Sequence, residues 1–125
     1  MAHWILKTEP SSYSFDQLER DGTAVWDGVK NPVALRNLRA MVPGDQLLIY
    51  HTGDEKSIIG FAEVTKAAFP VIEIKAGKRL PRTVSLAAVK AEKALAGLAL
   101  VRQPRLSVVP ADAAQWKRLL ALGGA

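Results

Sequence analysis

The run Trp26-Asp27-Gly28-Val29-Lys30-Asn31-Pro32 puts an aromatic ring, a turn and a helix-start signal in consecutive positions. An indole offers a flat apolar face on which a planar ring can stack, while asparagine and lysine bring directional and charged groups to that ring's edge. Asn31 is a favoured N-cap and Pro32 suits the first helical position. A helix is therefore expected to open there, with its unpaired N–H groups beside Trp26 and Gly28, an arrangement that suits a ligand. Taken singly, Trp26 reads as a core anchor and Asn31 as an ordinary cap; the combination is what points to a site.

A second group with chemical potential is Lys7-Thr8-Glu9, where an amine, a hydroxyl and a carboxylate stand in sequence. Such a set could support hydrolysis. In a strand, however, residues 7 and 9 face one side and residue 8 the other, so the three converge only if the strand ends by Thr8. Neither histidine has a recognisable nucleophile partner, and Asp54-Glu55 falls in an apparent solvent loop, so no other catalytic dyad is evident. Cysteine is absent, which removes disulfides, thiolate zinc sites and cysteine nucleophiles together. Two histidines do not by themselves make a typical metal site, and no metal or cofactor is expected.

The net charge of +5 is unevenly distributed. Residues 70–110 hold eight Lys and Arg against two carboxylates, whereas residues 1–69 hold seven against nine. Lys75, Lys78, Arg79, Arg82, Arg102 and Arg105 carry much of this basic strip, which is the usual electrostatic footprint for a phosphate backbone and equally a common solvated face.

These residues need elements to hold them. At 125 residues the chain is one domain, spanning 1–125, large enough to need no metal or disulfide staple. Residues 3–8 read as a strand, and Ser14 with Gln17 as a capping box for a short helix through about Glu19, ended by Asp21-Gly22. The helix opened by Asn31-Pro32 should reach about Met41 on a Leu35, Leu38, Met41 stripe, with Pro43-Gly44-Asp45 forcing a turn. Strands 46–51 and 58–65 flank a polar loop as a hairpin, and Gly60 suggests a bulge or close backbone approach. A further strand is expected over 71–75, a helix from near Ser85 to Gly97, and a closing strand within 99–109. A final helix opens at Pro110 and Asp112 and ends at Gly123-Gly124. Trp4 and Trp116 belong to the core on this reading. The order β-α-α-β-β-β-α-β-α leaves no room for βαβ crossovers between most strands. The simplest architecture is α+β, a strongly curved mixed sheet or small barrel with helices against its rim. No apolar run approaches a membrane span and no leader pattern opens the chain, so a cytoplasmic monomer is expected.

Several ordered motifs resemble the EVE domains, a branch of the PUA-like superfamily. They are His3-Trp4-Ile5-Leu6-Lys7-Thr8-Glu9-Pro10, Tyr13-Ser14-Phe15, the Trp26–Asn31 stretch, Gly44-Asp45, Tyr50-His51-Thr52 and Arg105-Leu106-Ser107-Val108. The resemblance implies a PUA-like fold related to the YTH domains, with an aromatic-lined pocket for a modified base in DNA or RNA. The chain departs from the family pattern at Lys30, at Leu35-Arg36 and at Thr52, and its next strand begins directly at Val71 where a longer polar loop is usual.

The expected function is therefore a nucleic-acid-binding module that reads a modified base. A base stacked on one or two aromatics returns roughly 1–3 kcal/mol each, so a single pocket should bind modestly. Trp26 and Tyr50 are the candidate stacking walls, Val29 completes the pocket, and Asn31 and Ser107 are candidate edge readers. Lys7, Lys30, His51 and Arg105 are candidate polar or phosphate contacts. Tyr50 reads equally well as a core tyrosine, His51 as a satisfied strand histidine and Arg105 as an anchor for a carboxylate such as Asp27. The alternative function is a small amidohydrolase-like enzyme acting on modified nucleosides through Lys7, Thr8 and Glu9. Loss of binding in added salt would separate phosphate contacts from a module that takes small molecules or proteins.

Overall fold

The computed structural model describes residues 2–125. Its centre is two strands that read as continuous apolar runs because both their faces are covered. They are β1 (His3–Thr8) and β3 (Gln46–His51), paired in parallel with Trp4 opposite Leu47 and Lys7 opposite Tyr50. Ile5, Leu6, Leu47 and Leu48 are fully buried. A parallel pair needs a crossover, and the chain from Glu9 to Asp45 supplies it with three elements.

First comes α1 (Phe15–Asp21), opened by the expected capping box. Ser14 Oγ accepts from Gln17 N at 3.2 Å and Gln17 Oε1 accepts from Ser14 N at 2.7 Å. Gly22, at φ 78°, turns the chain into β2 (Thr23–Trp26), a strand the sequence reading leaves out. Its four residues are too few to declare a period, and its exposed positions Thr23 and Val25 read as loop. Then α2 (Pro32–Ala40) follows, with Met41 as its buried C-cap rather than its last residue. Asp45, 1% exposed, fixes the return. Its carboxylate accepts from Trp4 Nε1 at 3.1 Å, from Val42 N at 3.1 Å and from Ala2 N at 3.2 Å.

From β3 the chain enters a long hairpin, β4 (Ser57–Ala68) and β5 (Val71–Ser85). The expected strand at 71–75 thus runs ten residues further than its periodicity suggests. The stretch Lys78–Pro81 looks like a breaker, but the pairing register shifts there, and a bulged position does not need the N–H that Pro81 lacks. The bulge expected at Gly60 is present, with register shifts on both sides of it.

Ser85 caps α3 (Leu86–Ala91), which stops at Glu92 rather than Gly97. A 3-10 turn at Lys93–Leu95 and a short α4 (Ala99–Arg102) follow, with Leu95 and Leu98 fully buried. The closing strand β6 (Val108–Ala111) starts only after Ser107. It includes Pro110, which sits exposed on an edge strand instead of opening the last helix. That helix, α5 (Ala113–Leu122), is opened by Asp112 in a second capping box and buries Trp116 beside Leu119. Trp4 and Trp116 are core residues, as expected from their positions.

The six strands form one mixed sheet in the order β2-β5-β4-β3-β1-β6, curved and flanked by helices, with β2 and β6 as its edges. It is the α+β arrangement expected from the sequence, realised as an open curved sheet and not a closed barrel. No helix among the described residues is long and apolar enough to cross a membrane.

Candidate functional site

A cleft of about 670 Å³ opens between the end of β1, the segment before α1, β2 and the loop that leads to α2. Such a volume suits a ligand the size of a nucleoside. Each side of it follows from local structure. On β2, Ala24 and Trp26 are half-buried while Thr23 and Val25 are exposed, and all four residues line the cleft. Gly28, at φ 74°, then reverses the chain and brings Asp27, Val29 and Lys30 to the rim.

Tyr13 forms the second aromatic side. It immediately precedes the Ser14 cap, and its ring meets Trp26 edge-on, with centroids 6.1 Å apart at 78°. Its hydroxyl donates to Asp21 Oδ2 at 2.8 Å. Burial, and then the hydrogen bond and charge of Asp21, push the Tyr13 phenol up to about 12. The two aromatic rings thus meet as a corner at close to a right angle.

The strand β1 ends at Thr8, which is the condition under which Lys7, Thr8 and Glu9 can converge, and all three line the cleft. Their hydrogen bonds lead elsewhere. Thr8 Oγ1 donates to Tyr13 O at 2.6 Å, and Lys7 Nζ donates to Pro104 O at 2.8 Å. Glu9 accepts from Ser11 N at 3.3 Å, Thr52 Oγ1 at 3.1 Å and Ser11 Oγ at 3.1 Å, bonds that hold its carboxyl below the usual range. Partial burial lowers Lys7, and its amine lies 5.7 Å from the Tyr50 ring centroid.

Of the residues singled out in the sequence, Trp26, Val29, Lys30, Lys7 and Ser107 come together at this cleft. Tyr50 and His51 lie beneath it in the core, at 4% and 5% exposure. Burial raises the Tyr50 phenol. His51 Nε2 accepts from Phe15 N at 3.0 Å, which leaves the ring proton on Nδ1 to donate to Glu55 at 2.9 Å. Asn31 and Arg105 stand in a smaller neighbouring cavity of about 280 Å³ with Pro104 and Leu106. The helix N-terminus expected to face a ligand is already satisfied, since Asn31 Oδ1 accepts from Val33 N at 2.9 Å and from Ala34 N at 3.0 Å. Arg105 forms no ion pair among the described residues, with Asp27 or any other carboxylate.

The basic strip does not act as one surface. Arg79 is held by Glu19, at 2.8 Å and 3.0 Å, and by Asp16, over the face of Phe15. Lys75 and Lys78 line a separate groove with Phe61 and Glu63. The sequence reading does not assign Tyr13, Asp21 or the β2 residues Thr23, Ala24 and Val25 to the site. The signal for Tyr13 is its place directly before a capping box, where a large side chain packs over the helix start; Asp21 has the look of a helix terminator alone. Among the described residues, no three His, Asp or Glu side chains are grouped to hold a metal ion.

The family model described as "EVE domain" matches residues 2–122. Thymocyte nuclear protein 1 of Gallus gallus is 36% identical over 80 residues, 54% of this chain and 33% of that protein. The match thus spans about a third of the length of that curated relative. The solution structure of Rpa0253 from Rhodopseudomonas palustris superimposes with a TM-score of 0.95 at 40% identity, covering 99% of this chain and 94% of that one. A crystal structure of human THYN1 protein in complex with DNA containing 5-methylcytosine shares the fold, with a TM-score of 0.95 at 23% identity over 100% of this chain and 99% of that one.

Proposed function

The chain belongs to the EVE domain family, and we propose that it binds nucleic acid by taking a modified base into the cleft at Trp26. The observation that carries this reading is the corner made by Trp26 and Tyr13 inside a nucleoside-sized cleft. A base extruded from a strand loses its stacking partners and needs a flat apolar surface in their place, with hydrogen-bonding groups around its edge. Trp26 supplies the surface, Val29 and Ala24 the apolar flanks, and Asp21, Asp27, Glu9 and Ser107 the polar rim. Lys7 and Lys30 at the same rim suit the phosphates on either side of the base. The DNA bound in the THYN1 complex contains 5-methylcytosine, which makes that base the first to try.

Binding is favoured over hydrolysis by the hydrogen bonds at Lys7-Thr8-Glu9. Thr8 Oγ1 spends its proton on a backbone carbonyl, and neither Lys7 nor Glu9 reaches it as a base. The convergence of the three at one cleft still supports an amidohydrolase as the second reading, and it predicts release of product from an acylated nucleoside.

The test is calorimetric titration with 5-methylcytidine and cytidine, on the wild-type protein and on Trp26→Ala. The proposal expects preference for the methylated nucleoside and its loss in Trp26→Ala, at a stability cost of about 1–2 kcal/mol for a half-buried indole. Equal binding by both proteins would contradict it, and unfolding of Trp26→Ala would move Trp26 to the core.

A further inference from the structure

Phe69 is the one large aromatic left open to solvent among the described residues, 44% exposed on the turn that joins β4 to β5. Its ring is not unattended, since the Arg39 guanidinium lies over it with its carbon 4.4 Å from the ring centroid. One face of the ring therefore carries a cation and is held in orientation by it. At an exposed site such a pair contributes about 0.5–1 kcal/mol to the fold and leaves the ring's other face open to a further planar group.

The sheet register relates this turn to the cleft. Trp26 pairs with Ile72, Ile72 with Ala67, and Ala68 with Val71, so Phe69 follows the end of β4, two strands over from Trp26 and two residues beyond its level. At strand spacings of about 5 Å sideways and roughly 3.3 Å per residue, the two backbone positions are about 12 Å apart. That is roughly three steps of a stacked nucleic-acid strand at 3.4 Å each.

A track of positive charge connects them. Lys30 lines the cleft, and α2 then carries Arg36 and Arg39, exposed and three residues apart on one stripe. Residues 28–44 contain these three cations and no carboxylate, and none of the three forms an ion pair among the described residues. The helix is nine residues long, about 13 Å, and so matches the separation of the two backbone positions.

We propose that a nucleic-acid strand whose modified base occupies the cleft runs along α2 and stacks a second base on Phe69. Lys30, Arg36 and Arg39 face the phosphates between the two bases. The inference rests on the cleft being the base site, and it adds a second subsite that reads the polymer rather than the modification. A free nucleoside fills the first subsite alone, whereas a short strand reaches both.

The test compares free 5-methylcytidine with single-stranded hexanucleotides containing one 5-methylcytosine. Fluorescent 2-aminopurine is placed three positions to one side of it or the other. Phe69→Ala, on an exposed turn, should leave the melting temperature and nucleoside binding unchanged while weakening hexanucleotide binding roughly tenfold. Arg39→Glu should weaken it further and flatten its salt dependence. The wild-type protein should alter the 2-aminopurine emission of one of the two strands, and Phe69→Ala should abolish that change. Hexanucleotide binding equal in wild type, Phe69→Ala and Arg39→Glu would overturn this inference and leave the cleft reading standing. Loss of nothing in Trp26→Ala, with either ligand, would overturn both.

Discussion

The indole of Trp26 and the phenol of Tyr13 are both half-buried, yet only one of them has a hydrogen-bonding tie, Tyr13 to Asp21. That tie makes a pH prediction. The Tyr13 value in the fold, about 12, is above the ordinary value of 10, so the fold prefers the protonated phenol. Its stabilisation is complete below pH 10 and is lost as the pH rises towards 12. Denaturant midpoints should fall across that window in the wild type and fall less in Tyr13→Phe, which has no proton to lose; equal slopes would contradict the assignment. His51 makes a second prediction. Its Nε2 is the acceptor for the Phe15 N–H in a buried setting. In His51→Phe that donor is orphaned, and stability should drop by about 1–3 kcal/mol with nucleoside binding retained. Loss of binding at unchanged stability would instead put His51 in the ligand site.

At the scale of elements, the long β4–β5 hairpin is pinned to α1 at Gly60. A Cβ there would lie 2.6 Å from Phe15 Cζ and 2.9 Å from the Lys78 carbonyl oxygen, so neither helix nor strand could keep its place. Gly60→Ala should cost about 1–3 kcal/mol, read as a lowered melting temperature. This close approach is legible in the sequence because a glycine amid β-branched and aromatic residues weakens a strand unless a side chain has no room there. So are the two capped helix starts at Ser14 and Asn31 and the apolar runs of β1 and β3. What sequence cannot give is β2, whose four residues are ordered by pairing with β5 and not by any pattern of their own. Tyr50 illustrates the same limit. Alternation puts it on a strand face, but which face lies under the cleft depends on the parallel partner, Lys7, forty-three positions away. Asn31 is the cap its sequence context indicates, but the N–H groups expected to stay free are not, because the cap's own oxygen takes them.

Across the whole molecule, charge is divided between structure and surface. Arg79 and Arg118 are committed to carboxylates, at Asp16, Glu19 and Glu92, and the remainder holds fifteen Lys and Arg against nine Asp and Glu. Lys7 and Lys30 line the cleft, and Arg36 and Arg39 follow on the helix that leads away from it, where they would meet phosphates. Binding of an oligonucleotide should therefore weaken as salt is raised, whereas binding of the free nucleoside should hardly change. Parallel salt dependence for both would place the charges outside the interface.

The central claim is that the Trp26 cleft receives a modified base. The most direct measurement is a two-dimensional amide NMR titration of the labelled protein with 5-methylcytidine, cytidine, N6-methyladenosine and adenosine in turn. Saturable shifts are expected, confined to residues 7–9, 13, 21–30 and 107 and the Trp26 indole N–H, larger for a methylated nucleoside than for its parent. Shifts that centre elsewhere, or are equal for each methylated and unmethylated pair, would contradict it.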